Sequence, residues 1–235
     1  MKTKNKILTS NEIIKYNPYL YEIYGDSIWE GVKLLDGIVD HSENLNFIGL
    51  HENLETPLYI FKVINTSHYI AVKICGRYND WSLTVQIEKL IGDIDKPDFV
   101  IFDYTLKSVI LAGETTDTIP LGNSELQRKG RVIVAAKNKI PFLFKCPGTH
   151  YDDSKLNERE RILDKKRGQA RYLMPISVIM HFVLSIRYKV PSLLFIQPNI
   201  SSDKELQFNI DSKCEFNFFN YISAILIKKF FNNNK

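Results

Sequence analysis

An α/β protein with a mixed β-sheet flanked by helices is what this sequence predicts, on three observations. Residues 98–146 read as strand, strand, helix, strand, and a helix that returns the chain to a neighbouring strand is the usual way to build a mixed sheet. Hydrophobic residues make up 44% of 235 residues, with 25% charged, enough apolar material for a core that needs no disulfide or zinc. The longest uncharged apolar run, Tyr172–Ile186, is fifteen residues long, interrupted by Pro175 and His181. It is short for a membrane span and suits a buried helix.

The elements follow in order. Residues 8–40 mix Ile, Tyr, Leu and Trp with polar residues at roughly helical spacing and predict one or two helices leading into the domain. Two strands, 58–64 and 68–74, flank an Asn65–Ser67 turn. Trp81–Ile91 is either a third strand or a short helix. Asp98–Tyr104 and Ser108–Thr116 have strand composition, and the short link Thr105–Lys107 makes them a hairpin. Ser124 with Gln127 three residues later is a capping-box signal for a helix reaching Asn138, with Lys137 and Lys139 placed where the macrodipole favours cations. Ile140–Cys146 is a short apolar strand. A helical region from about 157 to 188 should kink or split at Pro175, before a buried strand over 192–197 and a terminal helix over 219–230. The last residues are expected to fray. No internal repeat is visible, so the chain reads as one domain over 1–235, with a core at about 58–146 and additions at about 1–57 and 147–235.

The net charge of +4 permits a polyanionic partner without requiring one. Three dispersed cysteines, Cys75, Cys146 and Cys214, and the lack of an apolar leader predict a reduced, cytoplasmic setting and no membrane insertion.

Chemistry concentrates in the hairpin. If it turns about Leu106, cross-strand partners have numbers summing to 212, and Asp98 faces Glu114. Directly opposed side chains share a face, with Cβ atoms about 4.5–5.5 Å apart. Two carboxylates held that close call for a cation between them, and an oxygen-only donor set suits Mg²⁺, which keeps water and substrate phosphate in its remaining positions. Thr116, two residues past Glu114, is expected on the same face.

Pro97 and Asp98, fifteen intervening residues, then Glu114, Thr115 and Thr116, followed by a helix and a strand, resemble the PD-(D/E)xK nuclease superfamily, which includes many type II restriction endonucleases. The resemblance covers residues 97–146. It implies a restriction-endonuclease-like core, hydrolysis of DNA phosphodiesters with Mg²⁺ (Mn²⁺ substituting), and Asp98 and Glu114 as metal ligands. Thr116 stands where the superfamily has its water-positioning Lys. Lys145 on the following strand, or Lys129 or Gln127 on the helix, are the candidates to replace it, and Gln127 and Arg131 share a helix face at i, i+4. Glu125 offers a further carboxylate, or serves the helix dipole. The same resemblance implies double-stranded DNA as partner, a homodimer whose two sites address two strands, and a cognate methyltransferase in the same restriction system.

Lys165, Lys166, Arg167 and Arg171 concentrate cations that suit phosphate contact, and Arg77 and Tyr78 lie in a loop suited to phosphate or base edges. Their plainer roles are a solvated basic face and an ordinary turn. His150, Asp152 and Asp153 form a competing polar cluster without a second His at ligand spacing, which reads first as a loop. His181, in an apolar helix, reads as a satisfied core residue. Two alternatives therefore stand beside the nuclease: a non-catalytic nucleic-acid-binding protein of the same fold, and an unrelated α/β enzyme using His150, Asp152 and Asp153.

Overall fold

The computed structural model describes residues 6–51, 56–77, 87–89, 96–116, 123–147, 149–150, 171–172, 175–197 and 204–231. Nine strands form one mixed sheet. They are β1 (Ile7–Leu8), β2 (Tyr19–Gly25), β3 (Leu45–His51), β4 (Leu58–Val63), β5 (Tyr69–Arg77), β6 (Phe99–Asp103), β7 (Ser108–Thr115), β8 (Phe142–Pro147) and β11 (Ser192–Gln197), in the spatial order β1-β3-β4-β5-β2-β6-β7-β8-β11. The short strands β9 (Thr149–His150) and β10 (Arg171–Tyr172) pair separately. The helices are α1 (Ser10–Tyr16), α2 (Ile28–His41), α3 (Asn123–Lys137), α4 (Pro175–Tyr188) and α5 (Lys204–Phe231).

The α/β class with a helix-flanked mixed sheet holds. The antiparallel β6–β7 hairpin is followed by α3 and by β8, which runs parallel to β7, and β11 extends the sheet parallel to β8. Alternation along the strands sorts side chains to two apolar layers. Phe99, Ile101 and Leu111 pack with Leu34 and Ile38 of α2 and Phe218 and Ile222 of α5. Val100, Phe102 and Ala112 pack with Val132, Ala135 and Ala136 of α3 and Leu184 of α4.

Several expectations are corrected. Tyr19–Gly25, read as part of a helical region, is a central strand between β5 and β6. Its five last residues are all buried, so burial on both faces hides the alternation that marks a half-exposed strand. Leu45–His51 is a strand that the sequence reading did not contain. α3 starts at Asn123, so Ser124 lies inside the first turn and not at the cap. Pro175 begins α4, where a missing N–H is no loss, in keeping with the split expected there; residues 157–170 lie outside the described residues. α5 runs back to Lys204, fifteen residues before the expected start at 219. Most of Trp81–Ile91 lies outside the described residues; Ile87–Lys89 are helical. No helix among the described residues is long and apolar enough to cross a membrane.

Candidate functional site

The hairpin register carries the site. Phe99 pairs with Gly113, Val100 with Ala112 and Ile101 with Leu111. One step beyond that ladder sets Asp98 opposite Glu114. The sum of 212 arises differently from the expectation, however. The turn occupies four residues, Tyr104–Lys107, and near it Phe102 pairs with Val109 and Asp103 with Ser108. An irregularity at Ile110 then shifts the register by one residue, as a β-bulge does. Asp103 closes the turn by accepting the N–H groups of Thr105 (3.0 Å) and Leu106 (2.9 Å), while Lys107 takes a positive φ of 52°. Beneath the site Gly113 is required: a Cβ there would lie 2.3 Å from the Phe99 ring and 3.0 Å from the Leu143 carbonyl.

Glu114 follows Ala112 onto the α3 face and is 0% exposed. Its two carboxylate oxygens are taken by guanidinium groups. Arg131 Nη1 donates to Oε1, and Arg128 Nε donates to Oε2 at 3.3 Å. Burial pushes the Glu114 carboxyl up to about 7, the Asp98 charge adds to this, and Arg131 and Arg128 oppose it. Asp98 Oδ2 accepts the Thr115 N–H at 2.7 Å. Its carboxyl is likewise raised, chiefly by burial, against the Thr115 hydrogen bond and the two arginines, with the Asp26 charge adding to the rise.

A third carboxylate adjoins them. Glu30 caps α2, accepting the Ser27 N–H at 3.2 Å, and lines a cavity of about 690 Å³ together with Asp98, Thr115, Thr116, Lys145 and Glu215. Burial and the Asp98 charge raise the Glu30 carboxyl. The sequence reading missed Glu30 because its place depends on β2 being central. The readable signal was local: Ser27 with Glu30 three residues later is a capping box, which marks a helix start and says nothing of a long-range neighbour.

Of the sequence-derived candidates, Asp98, Thr116 and Lys145 line one cavity, and Glu114 lies buried on the α3 side. β7 ends at Thr115, the alternation stops there, and Thr116 lines the cavity with Thr115 while its N–H bonds the Lys145 carbonyl at 2.9 Å. Lys145 faces the same cavity from β8 and pairs with Glu215 of α5 at 3.0 Å. On α3 the residues that reach Glu114 are Arg128 and Arg131. Arg131 does lie on the face proposed for it. Arg128 was overlooked, although its spacing to Arg131, Val132 and Ala135 puts it in line with the buried stripe of α3.

The backbones of Gln127 and Glu125 lie in α3, but their side chains fall outside the described residues. The same holds for Arg77, the last residue of β5, and for Arg171 and His150, which pair across β10 and β9. Tyr78, Asp152, Asp153, Lys165, Lys166 and Arg167 lie outside the described residues altogether. His181 is a satisfied core residue as expected. It is buried, its Nδ1 lies 2.8 Å from Ser192 Oγ, and burial lowers its pKa to about 4.

No family model and no curated protein matches the chain. Among solved structures, the apo form of 5'-methylthioadenosine nucleosidase from Arabidopsis thaliana pairs with 93% of this chain and 98% of its own, at 8% identity and a TM-score of 0.23. A superposition that poor bears on neither fold nor activity.

Proposed function

We propose that this chain is a metal-dependent endonuclease that hydrolyses DNA phosphodiester bonds, built on a restriction-endonuclease-like core of α2, β2, β6, β7, α3 and β8 and acting as a type II restriction enzyme. The observation that supports the reading is the end of the β6–β7 hairpin, where Phe99 pairs with Gly113 and the preceding Asp98 accepts the Thr115 N–H next to Glu114, beside a helix whose two arginines hold Glu114.

The donor chemistry fits a hard divalent cation. Asp26, Glu30, Asp98 and Glu114 are electrostatically linked, and against them stand Arg128 and Arg131. Burial is the first cause of the raised carboxyls of Glu30, Asp98 and Glu114, and the neighbouring carboxylate charges add to it in each case. Among the described residues no group of three or more His, Cys, Asp or Glu that could hold a metal ion occurs. The proposed Mg²⁺ would therefore rest on Asp98 and Glu114 alone, with water and phosphate completing its shell. Glu114 has spare capacity, since an ionised carboxylate offers about four acceptor positions and the arginines occupy one on each oxygen.

Asp98 and Glu114 would hold Mg²⁺, with Mn²⁺ able to replace it. The bound cation supplies Lewis acidity, stabilising charge on a phosphodiester and easing the ionisation of water. Arg128 and Arg131 hold Glu114 in one orientation. Thr116 takes the position of the superfamily's Lys without its charge, and Lys145, at the equivalent end of β8, is the nearby cation on the cavity side. Double-stranded DNA is the proposed substrate.

Purified protein incubated with mixed plasmid and phage DNA is expected to give discrete fragments with Mg²⁺ or Mn²⁺ and none with EDTA. Removing the ligands Asp98 or Glu114 by substitution with Ala forfeits several kcal/mol of charge stabilisation, so each variant should cleave roughly 100-fold or more slowly. Cleavage unchanged in both variants would refute the assignment. One observation favours a second reading: both Glu114 oxygens are held by arginines and Thr116 carries no charge, as a non-catalytic DNA-binding relative would allow. Metal-independent DNA binding without cleavage on any substrate would select it.

A further inference from the structure

Three segments meet where β2 ends. Gly25, its last residue, pairs with Phe99 of β6 on one side and with Arg77, the last residue of β5, on the other. The first turn of α2 closes over this point. A Cβ on Gly25 would lie 2.7 Å from the Asp98 carbonyl, 3.4 Å from the Ser27 carbonyl and 3.4 Å from Glu30 Oε2. The start of α2 is therefore packed against the residue that the nuclease reading makes a metal ligand.

That turn holds Trp29, 72% exposed, with Ile28 beside it 41% exposed. The buried stripe of α2 is Gly31, Leu34, Leu35, Ile38 and Val39. Trp29 belongs to a different stripe. Lys33, Asp36 and Asp40 follow it at spacings of four, seven and eleven residues, which fall on one side of a helix. All three line the cavity that Asp98 also lines. Trp29 thus extends this wall by one helical turn, toward the helix start and Asp98. An indole has much to gain from burial, yet rolling α2 to bury it would bring Leu34 and Ile38 out of the core.

We propose that Trp29 stacks on a nucleobase of the bound strand, next to the phosphodiester that Asp98 addresses, an inference that rests on DNA as the substrate. The charges around the turn select the base over the backbone. Asp26, Glu30 and Asp98 are electrostatically linked there, and carboxylates repel phosphate. An uncharged π face is what this turn can offer a polyanion, and every base has one to meet it. Lys33, one turn further along the stripe, supplies the cation for an adjoining phosphate. Base faces in a duplex are covered by their neighbours, so the contact requires an opened base step. Ile28 and Trp29 together form the kind of apolar wedge that opens one.

The test is binding of single-stranded DNA, whose bases are already open, by fluorescence anisotropy in EDTA so that no cleavage intervenes. Two labelled strands of equal length are compared, one of mixed sequence and one abasic, with the same phosphates and no bases. Trp29→Ala should bind the base-bearing strand roughly 10-fold or more weakly and the abasic strand as wild type does. Trp29→Phe should keep most of the wild-type affinity, and Lys33→Met should weaken both strands alike. The abasic strand controls for folding, since a misfolded variant loses both. Equal loss on the two strands in Trp29→Ala, unchanged affinity of that variant for the base-bearing strand, or a wild type that binds both strands equally would each overturn the proposal. Trp29-dependent binding without metal-dependent cleavage would uphold it and overturn the nuclease instead. Cleavage without any preference for bases would overturn the stacking alone. Binding of neither strand would overturn both and leave Trp29 to a protein partner.

Discussion

On the α3 side of β7, Glu114 is fully buried and gripped by two guanidiniums; one residue further along, on the α2–α5 side, Thr115 and Lys145 border a cavity whose far wall carries Glu215, 38% exposed. Both places hold an acid–base pair within the same few residues of sheet. They differ in solvent. A buried pair cannot lose one member cheaply, because the survivor keeps its desolvation without its partner. A pair at a solvent-filled cavity exchanges its partner for water at little cost. The first pair fixes a geometry, and the second is free to change partners when a ligand enters.

The sharpest break of this contrast is Arg131→Met. It leaves the buried Glu114 carboxylate with Arg128 alone and should destabilise the fold by about 3 kcal/mol, at the low end for broken buried pairs, because Glu114 can take up a proton to relieve the charge. Urea unfolding monitored by Trp29 fluorescence or circular dichroism measures it. Combining Arg131→Met with Glu114→Gln should cost clearly less than the two single losses added together. Strict additivity would show that the two side chains do not act as a pair.

A smaller effect follows from pH. The Glu114 carboxyl titrates near 7 in the folded chain, above its ordinary range, so between roughly pH 4.5 and 7 the folded state holds a proton that the unfolded state has released. Its contribution to stability is present below that window and is lost as pH rises through it. Asp98 and Glu30, also raised, act in the same direction. His181 acts in the opposite one: held neutral by burial, with a pKa near 4, it favours the folded state more as pH rises toward 6.5. Comparing Glu114→Gln with wild type across pH 5–8 separates the two. The variant should lack the Glu114 part of the wild-type decline up to about pH 7, and an identical slope in both proteins would mean that Glu114 is already ionised there.

Legibility in the sequence divides along the same boundary. The hairpin was readable because the strand composition of 98–104 and 108–116 is local and register follows from a short turn. The facing of Asp98 and Glu114 was therefore derivable, even though a bulge at Ile110 and not a turn centred on Leu106 produces it. The arginine grip was half readable. Arg131 was placed on the right face of α3, and Arg128 was passed over for Lys129, although only the former aligns with Val132 and Ala135 of the buried stripe. On the cavity side Asp98, Thr116 and Lys145 were readable as candidates, but the cavity they line was not. It requires β2 in the centre of the sheet, α2 above it, and α5 extended back to Glu215, and each of these is a long-range arrangement with no local spacing to announce it. Doubly buried strands read as uniform apolar runs, which periodicity cannot tell from helices.

The smallest effect is expected at Lys145, and it tests the other half of the contrast. Lys145 pairs with Glu215 at 3.0 Å, and its ammonium also lies 5.8 Å from the rings of both Phe218 and Phe219. Lys145→Met keeps the aliphatic stem packed against those rings and removes only the charge. Because Glu215 already meets solvent, the loss should stay below about 1 kcal/mol in urea unfolding, several-fold less than for Arg131→Met. If cleavage by the same variant falls much further than its stability, Lys145 acts on the substrate side of the cavity; if stability falls by as much as in Arg131→Met, the Lys145–Glu215 pair is structural and the two sides of β7 are alike after all. The stability measurement needs no substrate, so it separates the two roles whatever DNA sequence the chain recognises.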